Sequence, residues 1–276
     1  MTLDESSGAY ARMVIAAATQ NARFAPPAGD RWASRAGSFR LDPRRNLEAN
    51  TAAVLALVQP GDSVLDVGGG AGRVGLPVAL HCREVANVEP SEAMRREFEA
   101  SALEAGIRNA RAVAGGWPEA AAGLAADVVM VANVTYFVRD IVPFVRALDA
   151  AARRRVIISV WSVPPPNHGA PLFELIHEEP LAPAPSYREL LPVLWDLGIL
   201  PDVQVLPDPF RGARERPPTR EDAIRMAIQR AGAEHLPDAA ATVEAHFDEL
   251  FAAAADGFVP KWTPRTREML ITWSKA

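Results

Sequence analysis

Short apolar runs alternate with helix-length segments between residues 63 and 161 of the chain. The runs are SVLDV, EVANVE, NARAVAG, DVVMVAN and RVIISV, and they are apolar on both faces of the strands that they would form. Strands of this kind are typical of a parallel sheet that helices cover on both sides. The pattern therefore predicts an α/β fold with a doubly wound, mostly parallel sheet.

Helical patterns also occur on both sides of this central region. The pattern that precedes the first strand ends at Pro60-Gly61, which is a typical helix stop. Proline-rich stretches, PPPNHGAP and PLAPAP, predict loops after the fifth strand. The elements predicted around the central region are helices over residues 7–23, 47–58, 172–179 and 187–197 and a strand over 203–206.

The last third of the chain predicts a helical insertion and one more strand. Thr219, with Asp222 three residues later, has the spacing of a capping box and predicts a helix that runs to Gly232. A second helix is predicted over 238–255, and residues 267–273 predict a last, antiparallel strand of the sheet. We therefore predict an N-terminal cap or lid over 1–46, a core over 47–206, a helical insertion over 207–262 and a final core strand over 263–276.

Composition narrows the classes of ligand. Of the 276 residues, 49% are hydrophobic and 23% charged, and the formal net charge is -5, which gives no electrostatic reason to expect nucleic acid. The single cysteine, Cys82, excludes an internal disulfide. The N-terminus is acidic where a signal peptide is basic, and no run approaches the roughly 18 apolar residues of a membrane span. We expect a cytoplasmic protein with a small-molecule ligand and without a membrane partner.

The segment VLDVGGGAGRVG fits two glycine motifs at once. Gly70, Gly72 and Gly75 have the G-x-G-x-x-G spacing of dinucleotide-binding folds, whereas a D-x-G-x-G-x-G motif begins at Asp66 and uses Gly68. In the first interpretation the strand extends into the glycines and leaves Asp66 buried without a partner. In the second the strand ends at Asp66 or the next residue, and Asp66 points out over the carboxyl edge of the sheet. We favour the second and keep the first as the alternative.

The stretch VLDVGGGAGRVGLPVA, followed by VANVEPSEAM, resembles the first two motifs of class I S-adenosylmethionine-dependent methyltransferases, and the later segment YFVRDIVPFVRAL resembles the small-molecule branch of that family. The resemblance implies a Rossmann-like fold, S-adenosylmethionine as cofactor and S-adenosylhomocysteine as product. It implies that Asp66 serves the amino group of the cofactor, usually through water, and that Glu89 accepts hydrogen bonds from the two ribose hydroxyls. The cofactor residues that it implies are Asp66, Gly68, Gly69, Gly70, Gly72, Glu89, Pro90, Met94, Gly116, Trp117 and Asn133.

The adenine end of this site departs from the family pattern. Members often carry an acid near the end of the third strand, and this chain has Ala114-Gly115-Gly116-Trp117-Pro118 there. Trp117 would stack on adenine while Gly116 offers backbone groups, or Trp117 is a packing residue. Met94 would contact the adenosine, or it belongs to the core.

The end of the fourth strand faces the transferred methyl group in enzymes of this family. Asn133 and Tyr136 have the spacing of the N-P-P-Y motif of amino-methylating relatives, but both prolines are missing, which argues against methylation of a nucleobase amine. Tyr136 is a candidate catalytic residue, and the alternative is a buried aromatic anchor. Asn133 is a candidate cofactor contact, and the alternative is a turn-forming asparagine.

Two histidines follow the fifth strand, where the chain would overhang the acceptor. His168 and His177 are candidate general bases, because imidazole titrates near neutral pH, and the alternative is that both are merely solvated. No second histidine lies at ligand spacing, so we assign no metal site. The loop that carries Trp32, Phe39, Arg40 and Asp42 would form a lid over the cofactor or a packing segment.

These observations predict an enzyme that transfers a methyl group from S-adenosylmethionine to a small-molecule acceptor by in-line displacement, with oxygen or nitrogen preferred over carbon. The alternatives are a non-catalytic cofactor-binding module, a macromolecule methyltransferase, which the acidic balance disfavours, and an NAD(P)-dependent oxidoreductase that uses Gly70, Gly72 and Gly75. The insertion over 207–262 would form a wall of the acceptor pocket or the face of a homodimer.

Overall fold

A computed structural model describes residues 2–24, 30, 32–33, 35–207 and 217–275 of the chain. Its centre is a seven-stranded sheet in the order β3-β2-β1-β4-β5-β9-β6. Strands β1 to β5 pair in parallel, and β9 runs antiparallel to both β5 and β6. The predicted mostly parallel sheet with an antiparallel last strand is thus confirmed. Its strands are β1 Ser63–Val67, β2 Glu84–Glu89, β3 Ala110–Ala114, β4 Ala126–Ala132, β5 Ala152–Trp161, β6 Asp202–Val205 and β9 Glu268–Ser274.

Helices cover both faces of this sheet, as the apolar strands predict. Neighbouring residues of β4 show the alternation: Val129 packs in a core with α1, α5 and α7, whereas Val128 packs in a core with α2, α3 and α4. The helices are α1 Leu3–Ala22, α2 Ala49–Leu55, α3 Gly75–Ala79, α4 Glu92–Glu104, α5 Ile141–Ala151, α6 Ala170–His177, α7 Tyr187–Asp196, α8 Arg220–Ala231, α9 Ala239–Ala245 and α10 Phe247–Leu250.

Local side-chain caps fix where several helices begin. The predicted cap at Thr219 is confirmed, since its hydroxyl accepts a hydrogen bond from the Asp222 N–H at 3.1 Å. Thr2 and Ser186 form capping boxes at α1 and α7, and Ser91 caps α4. Each cap satisfies backbone donors that would otherwise lack a partner in the first helical turn.

The helix predicted over 238–255 is wrong in its second half. Helix α9 stops at Ala245, the short α10 follows, and the chain then forms a hairpin from β7 Phe251–Ala254 and β8 Gly257–Pro260. Gly257 has a φ of 133°, and a Cβ there would lie 2.4 Å from the Pro217 carbonyl oxygen. Ala255 and Asp256 form the two-residue turn of this hairpin, which the alanine-rich sequence around them obscured.

The late insertion has an apolar cluster of its own. Ala227, Val243 and Phe247 pack there together with Leu172 of α6. The predicted domain boundaries remain a prediction, and the parts of the cap and the insertion at residues 1, 25–29, 31, 34 and 208–216 lie outside the described residues, as does residue 276. In the described part of the chain, no helix is both long and apolar enough to cross a membrane.

Candidate functional site

The turn after β1 distinguishes the two glycine motifs. Gly68, Gly70 and Gly72 have φ values of 68°, 55° and 85°, in the left-handed region that favours glycine. Glycine is required at position 68 for a second reason as well, because a Cβ there would lie 2.6 Å from a methyl group of Val134 in the turn after β4. Gly75 instead lies inside α3 without a positive φ. The conformation therefore matches the motif that begins at Asp66.

We expected Asp66 to point out over the edge of the sheet. In the structure it lies beneath this turn instead. Its side chain is 1% exposed, and within the described chain no donor reaches either carboxylate oxygen. The carboxylate fits because its neighbours are glycines: a Cβ on Gly69 or Gly75 would lie 2.2 or 2.4 Å from Oδ2. Burial, and next the nearby charge of Glu89, raise the pKa of Asp66 to about 7.

Glu89 ties the end of β2 to the glycine turn. Its Oε2 accepts a hydrogen bond from the Gly70 N–H at 3.0 Å, and its Oε1 accepts one from the Ser91 N–H at 2.8 Å. The residue is 5% exposed, and burial raises the pKa of its carboxyl group. Each carboxylate oxygen can accept two hydrogen bonds, so the group retains capacity for ligand hydroxyls. This is the position that the resemblance requires of a ribose-binding acid.

Asn87, two residues before Glu89 in β2, is a turn residue that the sequence analysis missed. Its Oδ1 accepts from the Gly69 N–H at 3.1 Å, and its Nδ2 donates to the Gly70 carbonyl at 2.9 Å. An amide inside an otherwise apolar strand was the available signal, because a buried polar side chain needs partners. Asn87 thus holds two peptide groups of the turn in place.

The segment before α2 lies over the glycine turn. Asp30 accepts hydrogen bonds from the Ser91 hydroxyl at 2.6 Å and the Ala93 N–H at 3.3 Å, at the start of α4. Trp32 packs against a cluster that includes Ala71 of the turn and Met94, which is 5% exposed. Met94 is thus buried between this segment and the turn. The contacts agree with the lid interpretation, which remains a prediction.

Ionic contacts fasten the same segment to α4. Arg40 pairs with Glu97 at 3.7 Å and with Glu104. Asp42 accepts a hydrogen bond from the Arg44 N–H, so it shapes the local turn. Arg40 therefore holds this segment against α4, and Asp42 stabilises a local turn within it.

Gly116 and Trp117, the two candidate residues for adenine binding, have different surroundings. Gly116 is exposed beyond the end of β3. The indole N–H of Trp117 donates to the Phe144 carbonyl of α5 at 3.3 Å, and its ring packs against the core on that face. Of the two interpretations of Trp117, this geometry favours packing, and stacking on adenine stays a prediction.

Asn133 and Tyr136 form a buried connection between β4 and β5. The Tyr136 hydroxyl donates to Asn133 Oδ1 at 3.1 Å and accepts from the Trp161 N–H. Tyr136 is 2% exposed, and burial raises the pKa of its hydroxyl. Asn133 has a φ of 61°, a backbone conformation that asparagine tolerates better than most residues. Tyr136 thus has the position of an anchor, and its catalytic role stays an untested prediction.

The two histidines contact the segment after β5 and the late insertion. His168 Nε2 lies 2.9 Å from the Val163 carbonyl, and burial lowers the pKa of its imidazole. His177 Nε2 lies 3.1 Å from the Ala231 carbonyl of α8, and its ring stacks on Phe173 at 4.2 Å. These contacts link α6 to its surroundings, and the predicted role as base remains untested for both.

A buried acid at the same edge escaped the sequence analysis. Glu268, the first residue of β9, is 2% exposed, and its Oε1 accepts hydrogen bonds from Asn50 Nδ2 at 3.0 Å and from the Ser159 hydroxyl. Burial raises the pKa of this carboxyl group. The group joins α2 to β5, and no motif in the sequence distinguishes it from an ordinary surface acid.

The chain is similar to several solved structures, but only at low sequence identity. No family model matches the chain, and no curated protein matches it. Solved structures do match: the YcgJ protein from Bacillus subtilis is 17% identical over 82% of this chain and 97% of its own, with a TM-score of 0.51. An S-adenosylmethionine-dependent methyltransferase from Thiobacillus denitrificans in complex with S-adenosylhomocysteine is 13% identical over 87% and 96%, with a TM-score of 0.49. A magnesium protoporphyrin IX methyltransferase from Synechocystis with the same bound molecule is 15% identical over 82% of each chain, with a TM-score of 0.49.

Sequence identities this low show a shared fold and nothing more specific. The sheet order, the conformation of the glycine turn and the acid at the end of β2 agree with the resemblance found in the sequence. The chain therefore has a mostly parallel, Rossmann-like α/β fold.

Proposed function

We propose that the chain transfers a methyl group from S-adenosylmethionine to a small-molecule acceptor, with oxygen or nitrogen as the methylated atom. The observation that carries this proposal is the turn of three left-handed glycines that the Glu89 carboxylate holds through the Gly70 N–H. Both are features that the cofactor requires, a turn without side chains and an acceptor-only group beside it. The buried carboxyl group of Asp66 lies beneath the same turn.

The residues present fit the cofactor. Glu89 would hold the ribose hydroxyls, the glycines would lie under the methionine part, and Met94 and Trp32 would cover the adenosine side. The cofactor would supply an activated methyl group on sulfur. Because the donor is already activated, this chain contributes chiefly positioning, which in favourable cases provides about 7 to 11 kcal/mol of the barrier reduction. The segment that carries Asp30, Trp32 and Arg40 would act as a lid and exclude water from the reaction.

The first test is titration calorimetry with S-adenosylmethionine, S-adenosylhomocysteine and NAD. The variant is Glu89→Gln, which keeps the shape of the side chain but removes its charge and one acceptor atom. The control is Glu92→Gln on α4, whose exposed side chain pairs with Arg96. We expect both adenosyl ligands to bind, NAD not to bind, and Glu89→Gln to weaken binding about 10- to 100-fold. Binding of NAD alone, or equal affinities in all three proteins, would contradict the proposal.

A cofactor-binding module without turnover is the second candidate function. The burial of Tyr136, whose hydroxyl is engaged by Asn133 and Trp161, favours it over catalysis that uses this phenol as a base. Incubation with methyl-labelled S-adenosylmethionine and a small-molecule extract distinguishes the two functions. Label in the small-molecule fraction with the wild type, and none with Glu89→Gln, supports the enzyme. Binding without transfer in any extract supports the module.

A further inference from the structure

Three aromatic side chains gather beside the glycine turn, and we call them the aromatic rim: Trp32, Phe39 and Phe137. The ring centroids of Trp32 and Phe39 are 5.6 Å apart with an interplanar angle of 90°, and those of Trp32 and Phe137 are 6.3 Å apart at 75°. Both separations and angles are those of edge-to-face aromatic contacts. Trp32 is thus the shared member of the rim.

The rim joins the two sides of the proposed reaction site. Trp32 packs against the cluster that includes Ala71 of the glycine turn, and Phe137 lies in the 3-10 turn that follows β4. The carboxyl ends of β1 and β4 lie side by side there, since the two strands pair in parallel and a Cβ on Gly68 would lie 2.6 Å from a methyl group of Val134. Ligands of open α/β sheets bind at this edge. The rim is therefore continuous with the site of the proposed cofactor.

The rim also presents apolar surface to solvent. Phe39 is 37% exposed and Phe137 is 39% exposed, whereas other aromatic residues such as Phe98 are fully buried. A single exposed apolar residue needs no explanation, but adjoining ones at a site edge are typical of ligand binding. Aromatic faces and edges favour flat apolar rings as partners.

Two arginines next to the rim have partners already. Arg40, after Phe39, pairs with Glu97 and Glu104, and Arg139 pairs with Asp140 at 2.7 Å, two residues after Phe137. These paired charges offer a charged ligand less than free ones would. The chemistry therefore favours an uncharged ring.

We propose that the aromatic rim binds the ring of an uncharged aromatic acceptor, so that methylation takes place on a group attached to that ring. This inference rests on the proposed function. It assigns Phe137 and Phe39 to substrate selection, and it assigns Trp32 to contact with both cofactor and acceptor.

The test uses the neutral fluorophore N-phenyl-1-naphthylamine and protein saturated with S-adenosylhomocysteine. We expect a blue-shifted emission with the wild type, and an affinity about tenfold weaker in Phe137→Ala, because loss of one aromatic partner removes roughly that much binding. Phe137→Leu, which keeps apolar area without a ring, should lie between them. Leu200→Ala is the matched control, since Leu200 is 82% exposed and lies after α7, away from the rim.

Separate outcomes distinguish the two proposals. Equal probe affinity in the wild type and Phe137→Ala, an equal loss in Leu200→Ala, or no probe binding to the wild type would overturn the aromatic rim as an acceptor site. Calorimetry of S-adenosylhomocysteine with the same proteins tests the cofactor independently. Absence of that binding, together with probe binding that depends on Phe137, would overturn the proposed function and leave the ring site standing.

Discussion

Ionisation of Asp66 should make the stability of the protein fall as the pH rises. An ordinary aspartate has a pKa of about 3.9, whereas burial and the nearby Glu89 charge raise the pKa of Asp66 to about 7. Between these values the folded state binds more protons than the unfolded state, so the free energy of unfolding decreases with pH. The contribution is fully present below about pH 4 and is lost as the pH rises through about 7.

The size of the effect follows from the shift. About three pKa units, at about 1.4 kcal/mol each, correspond to roughly 4 kcal/mol between pH 4 and pH 8. A typical domain has a total stability of about 5 to 15 kcal/mol, so the change is easily measured. Glu89 and Glu268, whose pKa values burial also raises, add slopes of the same sign. The contribution of Asp66 is therefore the difference between the wild type and a variant without its charge.

The assay is urea unfolding of the wild type and Asp66→Asn at several pH values without cofactor. Asparagine adds a buried amide, which shifts the stability of the variant by a nearly constant amount and leaves the slope with pH interpretable. We expect the wild type to lose several kcal/mol more than the variant between pH 4 and pH 8. Asp127→Asn is the control, because hydrogen bonds from Ser63 lower the pKa of Asp127, so that its contribution is nearly constant between pH 4 and pH 8 and is lost only as the pH falls below about 4. Parallel curves for the wild type and Asp66→Asn would refute the reasoning.

Three further changes test the local geometry, each by urea unfolding at neutral pH. Gly68→Ala should destabilise the protein by about 1 to 3 kcal/mol, because its φ is 68° and its Cβ would overlap Val134, and Gly61→Ala, which meets nothing within 4 Å, should be nearly neutral. Tyr136→Phe should cost about 1 to 3 kcal/mol, since it removes the buried hydrogen bonds that the hydroxyl makes with the Trp161 N–H and Asn133 Oδ1, and an unchanged stability would contradict the anchor interpretation. Thr219→Ala should cost about 1 kcal/mol through loss of the α8 cap, whereas Thr219→Ser should retain it.

Much of the sheet was predictable because a buried parallel strand leaves a strong sequence signal. The runs DVVMVAN and RVIISV correspond to β4 and β5, and the pattern over 267–273 corresponds to β9. The alanine-rich stretch over 238–255 was not predictable in the same way. Alanine favours helix locally, and the stacked rings of Phe247 and Phe251, which lie 4.9 Å apart, belong to a tertiary arrangement that the local pattern does not show.

In the candidate site, too, some features were predictable from the sequence and others were not. Residues whose roles depend on backbone conformation, such as Gly68 and Gly70, follow from motif spacing, and both have the positive φ that the motif requires. Side-chain partners did not follow, because they depend on contacts between distant segments. Asn50 and Glu268, which are 218 positions apart, meet only in the folded chain. Asn87 lies in β2 and bonds the glycine turn only because that turn packs beside β2.

Asp66 is buried, although we expected the motif that begins with it to place its side chain over the edge of the sheet. The dinucleotide motif predicts that this carboxylate is buried and unpaired, and the structure does have Asp66 buried without a donor among the described residues. The raised pKa resolves the conflict, because a carboxyl group that is partly protonated near neutral pH avoids much of the cost of burying a charge. Burial of an acid therefore does not distinguish the two motifs. The distinction rests on Gly68, whose left-handed φ and close approach to Val134 belong only to the motif that begins at Asp66.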